Sequence, residues 1–453
     1  MIVAKFGGSS LSDSEQFLKV REILRSDPAR RYVIPSAPGR RHGADHKITD
    51  LLYRCHDLAQ AIGHESREAI ERAREYERVF SEIRRRFLDI AAALRLDVDL
   101  EGELDKIERR IPQEPTADYA ASRGEYLNGL LLSALMGWTF IDPADCVWFR
   151  DDGTFDSERT QLECAHALLK HEYAVIPGFY GNMPDGTIRT FSRGGSDVTG
   201  AIVARAVDAD LYENWTDVSG FLTADPRIVK NPRRIEQITY RELRELSYMG
   251  ATVLHEDAIF PVRKAGIPIN IRNTNEPEHP GTLILPHAQG EPLAGITGIA
   301  GRKGFAIIVI EKAMMNAELG FGRRVLQAVE ECGISFEHLP TGIDTMCVVL
   351  HKEALDKARE RLITRIYELT EPDSIEIHED MALIATVGRG MVRQRGIASR
   401  LFAALSDAHV NVRMIDQGSS ELNIIVGVSS LDFDEAVRAI YGTFIDESGG
   451  DVR

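Results

Sequence analysis

Arg193-Gly194-Gly195-Ser196-Asp197 lies between a predicted strand that ends near Phe191 and a run of small and apolar residues with helical spacing. Two glycines at a strand-to-helix turn let backbone N–H groups face an anion at the helix N-terminus. Arg193 adds a guanidinium group suited to a carboxylate or a phosphate, and Asp197 can orient a basic group or a metal-bound phosphate. The alternative is an ordinary helix in which Asp197 only complements the helix dipole, and this stretch alone leaves both interpretations open.

The composition of the chain limits its class. Its 453 residues exceed one ordinary core, so we expect two or three domains. Ile2-Val3-Ala4-Lys5-Phe6 is predicted as a strand and not as a secretory signal, and no apolar run approaches a membrane span. Five scattered cysteines without a C-x-x-C pair indicate reduced thiols in a cytoplasmic protein, not a disulfide framework or a zinc site. A net charge of −16 argues against a nucleic-acid partner, and no membrane partner is expected.

A second glycine turn stands near the start of the chain, in Lys5-Phe6-Gly7-Gly8-Ser9-Ser10. The predicted strand ends at Phe6, and Ser12 with Glu15 is predicted to form a capping box for the next helix. A strand, a glycine turn, a helix N-terminus and an adjacent lysine are together typical of a phosphate cradle. The order of a Walker A loop is absent, so the predicted cradle is of another kind.

Strands and helices alternate up to about residue 275, which predicts a mostly parallel sheet covered on both faces. Ligands of such a sheet bind beyond the carboxyl ends of its strands, where the glycine-rich turns of this chain are expected. Ser122-Arg123-Gly124-Glu125 is predicted to open an apolar helix, in which Glu125 either complements the helix dipole or holds a substrate ammonium group. Residues 64–111 are predicted as exposed helices with a solvated charged face, and Met249–His255 as the last helix of this part.

Four prolines between about residues 275 and 294 predict a boundary, beyond which the chain repeats itself. Matching positions, such as Val325 with Leu401 and Gly342 with Gly418, share an offset of 76 positions. Each copy is predicted to contain a strand, a helix, two strands and a further helix. A structural duplication without a ligand is one interpretation, and an effector site is the other.

Several motifs, taken in order, make the chain resemble the aspartate kinases over essentially its whole length. The motifs are Lys5–Ser10, Ser122–Glu125, Arg193–Asp197, Trp215-Thr216-Asp217, Asp225-Pro226-Arg227, Gly250–His255 and Gln417–Glu421. The resemblance implies an α/β amino-acid kinase fold, with a three-layer, mostly parallel sheet, followed by two α+β ferredoxin-like ACT domains. The implied domains are 1–285, 295–378 and 379–453, and the opening strand of the first ACT domain can belong to the second.

The resemblance further implies transfer of the ATP γ-phosphoryl group to the side-chain carboxylate of L-aspartate, giving 4-phospho-L-aspartate. This is the first step towards lysine, threonine and methionine, with feedback inhibition through the ACT domains. Mg²⁺ is expected to be held through the phosphates, with no metal site of the protein's own. Lysine, threonine or both are the implied effectors, and a homodimer or dimer of dimers through the ACT domains is expected. Since the chain ends at Arg453, we expect it to lack the homoserine dehydrogenase fused to some relatives.

Roles for individual residues follow from the same resemblance. The implied catalytic pair is Lys5, which neutralises the transferring phosphoryl group, and Asp197, which orients it. The implied aspartate-binding residues are Ser36, Thr49, Glu125, Arg193, Gly194, Gly195 and Ser196. The implied nucleotide-binding residues are Lys5, Gly7, Gly8, Ser9, Thr216, Asp217, Leu222, Arg227, Thr252 and Val253. Thr252 stands where many relatives have lysine, and Leu222 where many have tyrosine.

The implied effector-binding residues are Met315, Glu318, Phe321, Gly322, Ser335, Phe336, Glu337, Gly342 and Ile343. Glu337 follows a strand-like Ile334-Ser335-Phe336 and is interpreted as the partner of the ε-ammonium group of lysine. The alternative is a solvent-facing glutamate on a half-buried strand.

Two other functions compete with this one. A glutamate or acetylglutamate kinase of the same fold generally lacks the repeated tail and the Ser-Arg-Gly-Glu helix start. A non-catalytic amino-acid sensor would not need the transfer lysine, so the set of Lys5, Glu125, Arg193 and Asp197 argues against it. An ATPase assay with and without L-aspartate separates the three functions.

Overall fold

Strands and helices alternate along the first part of the chain, as predicted. The structure is a computed structural model and describes residues 1–60, 67–192, 194–250, 256–287, 295–392 and 394–446. Two compact units are present. The first comprises Met1–Phe221, Glu236–Tyr240 and Val253–Ala288, and the second comprises Leu222–Ile235, Arg241–Thr252 and Gln289–Arg453.

The elements up to residue 285 are as follows. The strands are β1 Ile2–Phe6, β2 Arg30–Pro35, β3 Thr139–Phe140, β4 Ala174–Val175, β5 Tyr180–Asn182, β6 Ile188–Thr190, β7 Leu211–Thr216, β8 Gln237–Thr239, β9 Ile269–Asn273 and β10 Thr282–Leu285. The helices are α1 Ser14–Ser26, α2 Ile48–Gln60, α3 Arg67–Leu94, α4 Leu100–Arg110, α5 Asp118–Met136, α6 Ser157–Leu168, α7 Gly195–Ala206, α8 Tyr240–Tyr248 and α9 Glu256–Ala265.

The first unit is built on an eight-stranded sheet in the order β3-β4-β2-β1-β7-β9-β10-β8. β1 pairs in parallel with β2 on one side and β7 on the other, and only the pairing of β9 with β10 is antiparallel among the described strands of this sheet. The mostly parallel sheet of the prediction is therefore confirmed.

Alternation along β1 assigns its side chains to two faces of the sheet. Ala4 and Phe6 are fully buried in a core shared with α1, α2, α3, α4 and α5. Lys5 points to the other face, where α7 packs on β1 and β2. This arrangement puts a buried lysine one residue before the end of a central strand.

Several predictions about local structure need correction. Asp13 and not Ser12 caps α1, since its side chain accepts a hydrogen bond from the Gln16 amide at 3.0 Å. β10 lies within the predicted proline-rich boundary and extends the sheet, and β8 was not predicted. The predicted helix over Met249–His255 is not found at its start, because α8 ends at Tyr248, and residues 251–255 lie outside the described residues.

The predicted charged segment is described from residue 67, and over 67–111 it is only partly exposed. α3 and α4 turn an apolar stripe inward, and Phe80, Phe87 and Leu104 are fully buried in the main core. The charged residues of both helices lie mostly on the outer face. Arg86 is an exception, since it is buried and lies 2.8 Å from the Asp45 carboxylate.

The second unit contains the sequence repeat. Its elements beyond residue 295 are β11 Gly298–Glu311, α10 Phe321–Glu331, β12 Thr345–His351, α11 Lys352–Thr370, β13 Ser374–Val387, α12 Ile397–Asp407, β14 Met414–Asp416, β15 Asn423–Ser429 and α13 Phe433–Tyr441. α10 and α12 coincide at the predicted offset of 76 positions. The first copy differs from the prediction because residues 334–341 form only isolated bridges, through His338 and Thr341, and no regular strand.

One five-stranded antiparallel sheet, in the order β12-β11-β13-β15-β14, serves both copies of the repeat. The second half of β11 pairs with β12 and with the first half of β13. The first half of β11 pairs with the second half of β13, which also pairs with β15. β11 and β13 therefore each contribute to both copies.

None of the helices in the described residues combines the length and the apolar character that a membrane span requires.

Candidate functional site

The centre of the candidate site is an ion pair between β1 and α7. The Lys5 Nζ lies 2.6 Å from Asp197 Oδ1, and the two side chains are only 9% and 15% exposed. Asn214 lies beside Lys5 in the register of β1 and β7, and its Nδ2 donates to the same Asp197 oxygen at 2.8 Å. Asn214 was not predicted as a site residue. Its only sequence signal is its place directly before the Trp215-Thr216-Asp217 motif.

The first glycine turn follows β1 closely. The Gly7 amide donates to the Trp215 carbonyl at 2.9 Å, and a Cβ placed on Gly7 would lie 3.8 Å from Lys5 Nζ. A Cβ placed on Gly8 would lie 2.8 Å from the Ala37 carbonyl oxygen, so Gly8 is required for close approach of the turn that follows β2. Gly7 therefore places backbone, and no side chain, next to the Lys5 ammonium group.

The second glycine turn opens α7. Gly194 has φ 57° and ψ 27°, a left-handed conformation that favours glycine, and it precedes the first helical residue Gly195. A Cβ placed on Gly195 would lie 2.4 Å from the Phe179 ring. Ser196 is buried and Asp197 lies in the first turn of α7, so the predicted strand, glycine turn and helix are confirmed. Arg193, like Thr252 and Val253, lies outside the described residues.

Glu125 lies two turns inside α5, which begins at Asp118, and not at the predicted helix start. Burial raises the pKa of its carboxyl group to about 8, although the Ala37 backbone amide and the charges of Arg123 and Lys5 act to lower it. Its Oε2 is buried and has no hydrogen-bond partner in the described residues. A buried carboxyl group in this state is suited to receive a cation.

Ser36 and Thr49 lie in segments that contact α5. The Ser36 carbonyl accepts a hydrogen bond from Asn128 Nδ2 at 2.7 Å. Thr49 lies in the first turn of α2. A Cβ placed on Gly124, next to Glu125, would lie 2.7 Å from Ala37 Cβ and 3.4 Å from Ile48 Cγ2. The Glu125 segment is therefore held against the turn after β2 and the start of α2.

The predicted nucleotide-binding residues fall in both compact units. Thr216 ends β7 and its hydroxyl donates to Asp217 at 3.2 Å, at the same edge of the sheet as Gly7 and Gly8. Leu222 and Arg227 belong to the second unit, where the Arg227 guanidinium is held 2.6 Å from the Asp225 carboxylate.

The predicted effector residues of the second unit differ in their burial. Met315 and Phe321 are buried in the core of the unit, and Gly322 lies in α10. Ser335, Phe336 and Ile343 are exposed. Of the two carboxylates, Glu318 is paired with Lys312 at 2.8 Å and with Arg324.

Glu337 has different partners from Glu318. Its Oε2 accepts the Tyr248 hydroxyl at 2.5 Å, and its Oε1 lies 3.3 Å from His351 Nε2. The Glu337 side chain is only 9% exposed, and residue 337 does not lie on a regular strand. The alternative of a solvent-facing glutamate on a half-buried strand is therefore not found.

Two family models match this chain. The amino acid kinase family matches residues 1–273, and an ACT domain matches residues 384–444. The chain is thus an amino acid kinase with a C-terminal ACT domain.

Comparison with individual proteins narrows this class. The chain is 39% identical to aspartokinase 3 of Bacillus subtilis (strain 168), over 98% of both chains. It is 52% identical to the aspartate kinase of Clostridium acetobutylicum, whose crystal structure superposes with a TM-score of 0.91 and covers 98% of this chain and 100% of that one. Two crystal structures of Escherichia coli aspartokinase III also match, one with aspartate and ADP and one with lysine and aspartate. Each is 25% identical to this chain, with a TM-score of 0.72, and the match covers 98% of this chain and 99% of that one. This chain belongs to the aspartokinase family.

Proposed function

We propose that this aspartokinase phosphorylates L-aspartate with Lys5 and Asp197 at the transferring phosphoryl group and Glu125 at the substrate ammonium group. The observation that carries the proposal is the buried 2.6 Å pair of Lys5 with Asp197 beside the Gly7-Gly8 turn. The pair supplies one positive group at the carboxyl end of a central strand, which is where open α/β sheets bind ligands.

The reaction needs positioning more than acid–base chemistry. An oxygen of the aspartate side-chain carboxylate attacks the γ-phosphorus of ATP and forms a new P–O bond. The bond from the γ-phosphorus to the β–γ bridging oxygen breaks, and ADP leaves with its electron pair. Because the nucleophile is already ionised at neutral pH, no base has to remove a proton. Lys5 offsets the charge on the transferring group, and Asp197 fixes the ammonium of Lys5 in place.

Glu125 supplies recognition of the amino-acid substrate. Its Oε2 lacks a partner among the described residues, and its pKa of about 8 means that the carboxyl group is largely protonated at neutral pH. An α-ammonium group placed next to it favours the carboxylate form, so binding of the substrate displaces the proton. Gly194, Gly195 and Ser196 lie at the N-terminus of α7, where backbone amides suit a substrate carboxylate.

ATP and Mg²⁺ complete the proposed reaction. In the described residues, no group of three or more His, Cys, Asp and Glu side chains could hold a metal ion. We propose that Mg²⁺ reaches the site together with the nucleotide phosphates, as it usually does in kinases. There the ion would neutralise charge on the β- and γ-phosphate oxygens. Gly7, Gly8, Ser9, Thr216 and Asp217 are the residues of the first unit proposed to contact the nucleotide.

We also propose lysine, alone or with threonine, as the effector that acts through Glu337 and its neighbours. E. coli aspartokinase III, with which this chain shares its fold over almost its full length, has been crystallised with lysine. Association through the ACT domains into a homodimer or dimer of dimers, and a cytoplasmic location, remain predictions. The domain limits 1–285, 295–378 and 379–453 are likewise proposals.

A coupled assay of ADP release tests the proposed substrate. We expect ADP release with ATP, Mg²⁺ and L-aspartate, and little with L-glutamate, N-acetylglutamate or no acceptor. Trapping the product with hydroxylamine as the hydroxamate shows that a carboxyl group was phosphorylated. Turnover with glutamate in place of aspartate, or binding of amino acids without any turnover, would favour the other two functions considered above.

A further inference from the structure

Helix α8 belongs to the second unit from Arg241 onward, and it contacts the rest of that unit at three successive turns. Glu242 accepts hydrogen bonds from the Arg389 amide at 3.0 Å and from the Thr297 hydroxyl. One turn later, Glu245 accepts the Asn423 Nδ2 at 2.6 Å. At the last turn, the Tyr248 hydroxyl donates to Glu337 at 2.5 Å.

The last of these three contacts differs from the others in its surroundings. Glu242 is fully buried, whereas Tyr248 is 51% exposed and can turn its hydroxyl to water. The acceptor of the Tyr248 hydroxyl is Glu337 Oε2, on the carboxylate that we propose for the effector ammonium group. The other oxygen, Oε1, lies 3.3 Å from His351, whose ring stacks on Phe305. With the Glu337 side chain only 9% exposed, an ammonium group reaches Oε2 most directly by replacing the tyrosine hydroxyl.

We propose that Tyr248 is a specificity residue of the effector site, and that its hydroxyl competes with the effector's cationic group for Glu337. This inference rests on the proposed effector function of Glu337 and adds a residue outside the predicted effector set. A cation interacts more strongly with a carboxylate than a neutral hydroxyl does, so the competition selects a ligand that places a cationic group, and not a neutral polar group, at Glu337. Occupancy of the effector site then releases the last turn of α8 from Glu337.

Calorimetric titration with L-lysine tests the competition. Removing the competing donor in Tyr248→Phe should lower the lysine dissociation constant by at least about ten-fold, the lower end of the scale for one hydrogen bond to a charged group. The concentration of lysine for half-inhibition of the kinase should fall by the same factor. The matched control is Asn423→Ala, which removes the neighbouring α8 contact but leaves Glu337 unchanged. Its lysine affinity should equal that of the wild type.

The outcomes separate the inference from the function on which it rests. Unchanged or weaker lysine binding in Tyr248→Phe overturns the competition, while lysine binding by the wild type would still support the effector. Equal tightening in Tyr248→Phe and Asn423→Ala also overturns it, because the effect would then come from a loosened α8. If the wild type and Glu337→Gln both show no lysine binding, the proposed effector and this inference fail together.

Discussion

Asp197 Oδ1 is a shared acceptor that receives Lys5 at 2.6 Å and Asn214 at 2.8 Å. Lys5 and Asn214 are in-register neighbours on parallel strands, so the sheet itself aligns both donors with the helix that carries Asp197. The ammonium group is therefore positioned by groups of the protein, at the place that we propose for the transferring phosphoryl group. Preorganised charge of this kind costs no rearrangement during the reaction.

Lys5→Met should lower kcat by a factor that corresponds to about 2.7–4 kcal/mol, the scale for one preorganised group that acts in the transition state. The variant also leaves the mostly buried Asp197 carboxylate without its cation, so its melting temperature should fall. The double variant Lys5→Met with Asp197→Asn should recover stability but not turnover. A well-folded Lys5→Met enzyme with near-normal kcat would refute the catalytic assignment.

Asn214→Ala should reduce kcat while leaving the KM for aspartate nearly unchanged. The substitution removes one hydrogen bond to the Asp197 carboxylate. A hydrogen bond to a charged group is worth about 1.5–3 kcal/mol, so a loss of at least about ten-fold in kcat is expected. Asn214→Asp should be more damaging because it puts a second carboxylate beside Asp197. Steady-state kinetics of the two variants decides between a positioning role and a purely structural one, which would change stability and leave kcat unaltered.

Glu125→Gln should raise the KM for aspartate by an amount that corresponds to about 1.5–3 kcal/mol, because it removes the charge that faces the substrate ammonium group.

In the wild type, binding of aspartate at pH 7 should release close to one proton, since the pKa of Glu125 is about 8 before the cation arrives. Titrations in two buffers of different ionisation enthalpy measure the number of protons released. The number should fall above pH 8 and should be zero in Glu125→Gln. Proton release that persists in the variant would place the titrating group elsewhere.

Glu125 should also impose a pH dependence on stability. The ordinary pKa of this carboxyl group is 4.5 and burial raises it, so the folded protein binds more protons here than the unfolded chain. The free energy of unfolding should therefore fall as the pH rises from about 4.5 to 8, by at most about 5 kcal/mol at 1.36 kcal/mol per pKa unit. Glu125→Gln should remove this contribution and be more stable than the wild type at pH 9. Denaturant unfolding of both proteins between pH 5 and pH 9 measures the difference.

Glu337→Gln should abolish inhibition by lysine, whereas Glu318→Gln should leave it in place. Both residues were predicted to contact the effector, but Glu318 is already neutralised by Lys312 and Arg324. Inhibition curves with lysine, threonine and both together, measured for the wild type and the two variants, compare the two carboxylates. Equal loss of inhibition in both variants would show that Glu318 also binds the effector.

The sequence predicted elements that local patterns specify. The strand, glycine turn and helix at Gly194-Gly195 and the repeat of α10 in α12 were predicted because periodicity and glycine placement act over short distances. The start of α5 was placed too late, since the small residues Ala120 and Ala121 give no apolar periodicity of their own although both are fully buried. α3 was predicted as exposed because its many charged residues obscure the apolar stripe that packs into the core.

Contacts between distant segments could not be predicted from the sequence. Asn214 acquires its role only because β7 pairs with β1 in one register, and Tyr248 only because α8 ends near Glu337. β8 and β10 are strands of three and four residues, too short for a pattern. β8 is held by its pairing with β10, and β10 also pairs with β9. Each of these features depends on tertiary structure that the one-dimensional pattern does not encode.

The two strands shared by the repeat have a consequence for how this part of the chain can evolve or be engineered. β11 and β13 each run for fourteen residues through both copies. A cut between the copies, near residue 379, would therefore divide β13 in the middle of the strand. Each half of the sheet would then lose a strand that pairs with its neighbour. Neither copy has a complete set of strands of its own. The pair should melt in a single cooperative transition, and relief from feedback inhibition is accessible through point substitutions but not through deletion of one copy.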